Sequence, residues 1–192
     1  MKGGFILIIC MMAFLKVVYA HEKAIKGPYK TTMTALTLCT KTTLPLQTRN
    51  PGLVFRLKFV NTTKTTNLVA GTFTVTRNLK NLTIIAIAYK WEMGKWKTHL
   101  TLPRLSCKTP VMTTVVAIMT NIKFDPGSCA VIKGTYKMEF DINVADHIWA
   151  PEREYGRMRW RLEFITKKNT ITCLLGDNIV EPIKKVNTTK AN

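Results

Sequence analysis

The sequence predicts an all-β, antiparallel fold, a sandwich or a small barrel, with one short helix and two disulfides. Three observations lead there: runs in which apolar and polar residues alternate, turn residues recurring between those runs, and four cysteines outside an N-terminal leader. The alternation is clearest between Cys129 and Cys173. Tyr136, Met138, Phe140, Ile142 and Val144 alternate with Lys137, Glu139, Asp141 and Asn143, and Met158, Trp160, Leu162 and Phe164 alternate with Arg157, Arg159, Arg161 and Glu163. A period of two gives a strand one dry face and one wet face. Each strand then walls an apolar interior, which is either a packed core or a ligand cavity.

The remaining elements follow in order. Residues 29–37 are Thr-rich and read as a strand ending near Cys39, and Arg49-Asn50-Pro51-Gly52 is a turn by composition. Leu53, Phe55, Leu57 and Phe59 alternate with Val54, Arg56 and Lys58, and a polar loop covers 61–67. In residues 69–76, Val69, Phe73 and Val75 share a face in which Gly71 leaves a gap, read as a bulge in preference to a close approach by a ligand. Residues 82–91 are nearly continuously apolar, the mark of a strand buried on both sides, and Met93-Gly94 turns the chain into a strand over 95–102. Between Cys107 and Cys129 the period changes. Val111, Val115, Ile118, Met119 and Ile122 follow helical spacing behind Pro110, and Asp125-Pro126-Gly127 ends the segment. The expected order is five strands, one short helix and three strands. An immunoglobulin domain places a core Trp against a cysteine pair that spans its two sheets, and the cysteines here are not laid out in that way.

The leader is expected at residues 1–20: Lys2, an apolar run over 5–15, and Val18-Tyr19-Ala20 as a cleavage site, with the mature chain starting at His21. The apolar run is too short for a membrane span and Lys16 interrupts it. The expectation is a secreted, extracellular protein whose residues 21–192 form a single domain. Export is consistent with an even set of cysteines, Cys39, Cys107, Cys129 and Cys173, for which three pairings are open. It is also consistent with glycosylation sequons at Asn61, Asn81 and Asn187. The formal net charge of +18 falls by two when Lys2 and Lys16 leave with the leader, to about +16. Such a charge either serves solubility or draws an anionic partner such as acidic lipid headgroups or glycans, and no nucleic-acid recognition motif accompanies it.

Catalytic constellations are missing from the sequence. Ser106 and Ser128, the serines of the mature chain, sit in no nucleophile elbow, and His21, His99 and His147 are scattered without metal-ligand spacing. Glu152 and Glu154 flank Arg153 and read as a solvated loop. The expectation is a non-enzymatic binding module with no catalytic residue, metal or cofactor.

The segment Cys129-Ala130-Val131-Ile132-Lys133-Gly134-Thr135-Tyr136 resembles the Cys-Pro-x-x-x-Gly-x-Tyr element of the ML lipid-recognition superfamily, with Ala130 in place of the usual Pro. The likeness is to its ganglioside-activator-like branch and the insect relatives of that branch, the secreted Che chemosensory proteins. Trp149-Ala150-Pro151, Tyr155-Gly156-Arg157, Cys173 and the hairpin from Trp91 to Lys97 look like further elements of that pattern. The resemblance implies an immunoglobulin-like antiparallel β-sandwich shaped as a cup, nested disulfides Cys39–Cys173 and Cys107–Cys129, and an apolar cavity for a lipid or other hydrophobic small molecule. Phe55, Leu57, Phe59, Phe73, Tyr136, Met138, Phe140, Met158, Trp160, Leu162 and Phe164 are then the expected cavity wall. Trp91, Trp96 and Trp149, with Lys95 and Lys97 beside the first two, are the expected rim toward a membrane or headgroup. The leading functional expectation is a carrier or presenter of that molecule. The alternative is an extracellular accessory in chemosensation, pheromone or taste, that meets a receptor through its basic surface.

Overall fold

Alternating segments pair into two facing antiparallel sheets. The computed structural model describes residues 26–47, 51–61, 67–102, 104–110, 114, 116, 119–125, 127–167 and 169–183. The expected leader and Asn187 lie outside the described residues, as do Val111, Val115 and Ile118 of the expected helix and the side chains of Phe59, Asn61 and Trp149. The strands are β1 (Lys26–Gly27), β2 (Tyr29–Leu38), β3 (Leu53–Asn61), β4 (Asn67–Val75), β5 (Thr83–Glu92), β6 (Lys95–Thr101) and β7 (Leu105–Ser106). After them come β8 (Gly134–Asp141), helix α1 (Ile142–Trp149), β9 (Arg153–Glu154), β10 (Gly156–Ile165) and β11 (Thr170–Pro182).

The larger sheet runs β2-β11-β10-β5-β6, with β7 pairing β5 beyond the end of β6. The smaller runs β3-β4-β8, and β1 pairs β9 at one end. Both disulfides are nested: Cys39–Cys173 clips β2 to β11, and Cys107–Cys129 closes the segment between β7 and β8. Pro110, Thr114, Val116 and Met119 are helical within that segment, in keeping with its helical spacing. At the β5–β6 hairpin, Met93 and Gly94 both hold positive φ, 50° and 76°, the paired left-handed residues of a tight turn whose twist matches its strands.

Three sequence expectations change. The alternation from Tyr136 stops being a strand at Asp141, whose carboxylate accepts from the Asn143 N–H at 2.7 Å and caps α1. Ile142 and Val144 continue the period only by coincidence; they belong to the helix. The gap at Gly71 is not a bulge, since the β3–β4 and β4–β8 registers run through it without a shift. A Cβ there would run into the Arg56 carbonyl oxygen and lie 2.9 Å from the Leu57 Cα, so glycine is required by the close approach of β3. Strand β5 is buried on one face, by Ile84, Ala86 and Ala88, rather than on both.

The sheets meet over a core built from Val69, Phe73, Val75, Met138 and Phe140 of the small sheet, and Phe55 and Phe164 touch across the gap with centroids 5.3 Å apart. A polar strut closes one end. Thr31 on β2 donates to Asp146 of α1 at 2.6 Å, Arg153 donates to the same carboxylate oxygen at 2.7 Å, and Tyr29 donates to the Ala150 carbonyl at 2.7 Å. Tyr29 is fully buried, stacked on His147 at 4.5 Å. Burial first, and the Asp146 charge second, push its phenol pKa up from 10.0 to about 12. A raised pKa on an acid means that the folded state keeps a proton the unfolded chain gives up, so stability is intact below pH 10, falls between about 10 and 12, and levels off above. The loss expected over that window is of order 3 kcal/mol. Urea titrations at stepped pH check it: Tyr29→Phe should remove most of that alkaline slope, and an unchanged slope would assign it to other groups.

Candidate functional site: an apolar cavity between the sheets

An apolar cavity of about 220 Å³ lies between the two sheets. Its floor is the inward face of the larger sheet, where Trp160, Leu162 and Phe164 of β10 stand beside Ile84 and Ala86 of β5 and Leu174 and Gly176 of β11. Opposite stand Leu53, Phe55 and Leu57 of β3, Val69 and Phe73 of β4, and Met138 and Phe140 of β8. The connection from Leu102 to Val131, stapled by Cys107–Cys129, brings Leu105, Val116, Met119, Ile122 and Phe124 to the wall, and α1 contributes Ile142, Ala145 and Asp146.

Of the expected cavity residues, Phe55, Leu57, Phe73, Met138, Phe140, Trp160, Leu162 and Phe164 line this space. Tyr136 and Met158 do not. Tyr136 is sealed in the core, donating to the Ile132 carbonyl at 2.6 Å, and Met158 packs with Tyr29 and Val180 in a separate cluster. Sequence reasoning missed the share of β2 (Met33, Leu36), of the 102–131 connection, of α1 and of β11. For β11 a signal was present: Leu174, Gly176 and Asn178 are two apart. Burial on both faces through Leu174 masks it.

Two of the expected rim aromatics, Trp91 and Trp96, lie elsewhere. Trp91 and Trp96 face each other across the β5–β6 pair, edge to face at 5.1 Å, on the side of the sheet turned away from the cavity. Arg157 lies 5.2 Å over the Trp91 ring and Arg159 lies 4.3 Å over Trp96. Lys97 pairs with Glu92 at 3.1 Å, and that hydrogen bond holds the Glu92 carboxyl below its usual range; Lys95 is exposed at the turn. The alternation of β5 explains the placement, since even positions from Ile84 to Ala88 point inward and Trp91 is odd.

This outer face is also less wet than its charge suggests. Arg159 binds Asp177 through two hydrogen bonds of 2.5 and 2.7 Å, which hold its guanidinium protonated more firmly than usual. Glu163 is fully buried, accepting from the Thr43 N–H at 2.9 Å and hydroxyl at 3.0 Å and pairing with Arg161. Its place on a solvated face is therefore corrected, because the segment after Cys39 folds over it. Of the three arginines, Arg157 alone makes no ion pair among the described residues.

Asn81 sits exposed in a turn at φ 55°, open to a glycan, while Asn61 ends β3. Among the described residues all four cysteines are consumed in disulfides, and no helix is long and apolar enough to cross a membrane. No protein-family model matches the chain, and no curated protein matches it in sequence.

Proposed function

We propose that this chain is a secreted, non-enzymatic binding protein that holds a lipid or other hydrophobic small molecule between its sheets for transport or presentation. The observation that carries the reading is the cavity of about 220 Å³ bounded by aliphatic and aromatic side chains. A core that only had to be stable would fill such space, because each lost contact around a void costs dispersion energy. An apolar space between two sheets instead gains from a guest, at about 0.8 kcal/mol per methylene buried. The size argues for one slender molecule of medium length, since drug-sized sites run from about 300 to 1,000 Å³. Nested disulfides and the cup-like sheet pair support the ML-type likeness carried by the 129–136 element.

Native mass spectrometry of the protein purified under gentle conditions should reveal a bound apolar molecule, and an N-phenyl-naphthylamine fluorescence assay should report its displacement. Leu57→Trp, which fills the cavity from β3, should lower probe affinity at least tenfold while the protein stays folded by circular dichroism. Undiminished binding by the folded variant would place the probe somewhere other than the cavity.

The alternative, an accessory that meets an extracellular receptor through its basic surface, draws on Arg157 stacked over Trp91 and Trp96. Arg157 is the residue to reverse in testing it, because reversing Arg159 or Arg161 would also break an internal ion pair.

A further inference from the structure

One end of the cavity is polar, and two of its atoms lack partners. Trp160 Nε1 and Asn178 Oδ1 are buried with no hydrogen bond, and both side chains line the cavity. Unpaired groups of this kind cost about 1–3 kcal/mol each, so a folded chain that keeps two of them side by side needs a reason. They are neighbours by register. Asn178 pairs with Met158 and Gly176 with Trp160, so Asn178 and Trp160 sit diagonally on the inward face of β11 and β10; Gly176 puts no side chain of its own between them, and the Leu36 and Met33 side chains reach over it. The surroundings fix them. Asn178 is 3 % exposed beside Met33, and the Arg153 guanidinium lies 5.4 Å from the Trp160 ring and 5.8 Å from the Tyr29 ring while it pairs with the Asp146 carboxylate.

Resting on the cavity reading above, we infer that the guest is an uncharged long-chain molecule with a hydroxyl group, held hydroxyl-inward, accepting from Trp160 Nε1 and donating to Asn178 Oδ1. The chemistry selects the group. An indole N–H only donates and an amide oxygen only accepts, so the partner must do both, as a hydroxyl does. An ether, ester or aldehyde satisfies Trp160 and leaves Asn178 unpaired. A carboxylate would bring its charge against the Asn178 oxygen, and an ammonium would oppose the indole N–H. A hydrocarbon satisfies neither atom. The remaining wall is apolar and takes the chain.

Undecanol, decyl methyl ether and dodecane have equal numbers of heavy atoms and separate the two contacts when each displaces N-phenyl-naphthylamine from the full-length protein. Asn178→Leu should weaken undecanol about tenfold relative to the ether and the alkane, which share any change in the wall. Trp160→Phe alters the wall for every probe, and should weaken undecanol and the ether about tenfold more than the alkane. Comparing variants probe by probe cancels each probe's own solubility. If wild type binds all three probes and the variants move them equally or not at all, the hydroxyl assignment is overturned while the cavity reading stands. If wild type binds none, both fall. Should either variant fail to fold, undecanol protection of wild type against heat beyond that given by the ether reads the same contact, and equal protection overturns it.

Discussion

Replacing Cys39 and Cys173 together by alanine should lower the free energy of unfolding by about 5 kcal/mol, the largest single loss expected for this chain. The bond closes a separation of 134 residues, against 22 for Cys107–Cys129, and in the chain-entropy account the constraint on the unfolded state grows with the logarithm of the loop. The shorter loop gives about 3 kcal/mol on the same basis. A domain whose whole stability is about 5–15 kcal/mol would be left marginal by the first change and merely weakened by the second. Urea midpoints for the two double variants check the order, and a larger loss for Cys107→Ala/Cys129→Ala would refute the entropic account here. Alanine is preferred to serine because Cys173 is buried, where a hydroxyl would add an unpaired donor.

Arg161→Leu should cost about 3 kcal/mol, the low end for breaking a buried ion pair, because Glu163 keeps its two bonds from Thr43. What remains is a fully buried carboxylate without its counter-charge. Adding Glu163→Gln removes that charge yet retains an acceptor for the Thr43 N–H and hydroxyl, so the double variant should regain most of the loss. Thermal melts of the two single variants and the double variant give the coupling directly. Additive losses would show that Arg161 acts through its packing alone.

The strands were legible because a half-buried strand writes its geometry into the sequence with a period of two, as in Phe55-Arg56-Leu57-Lys58 and Met158 to Phe164. The same signal misled wherever distant packing decided the matter. Ile142 and Val144 keep the period after Asp141 has begun a helix, and the sign that mattered was the capping carboxylate followed by Ile142, Ala145 and Asp146 at helical spacing. Glu163 reads as solvated because nothing local announces that Thr43, 120 residues earlier, covers it. Periodicity told which side chains of β10 share a face, and therefore most of the cavity floor. It could not tell that Met158, at the end of that row, lies beyond the cavity among Tyr29 and Val180. The polar end was hidden for the same reason, since Trp160 and Asn178 meet only once β10 and β11 are in register.

The pairing of β2 with β11 also sets an order of events in time. The β3–β4 and β5–β6 hairpins and the Cys107–Cys129 loop need only neighbouring sequence, and each can form while the chain is still growing. β2 is made before all of them and waits for the last strand to arrive. Until then its edge is unpaired, Cys39 is a free thiol and one end of the interior stands open, the condition in which nascent sheets meet each other wrongly. Arrival of Thr170–Pro182 completes the large sheet, covers the edge of β2 and brings Cys173 to Cys39 in one move. β11 is thus the closing latch, and a chain cut short before it should be an aggregating intermediate rather than a smaller working domain.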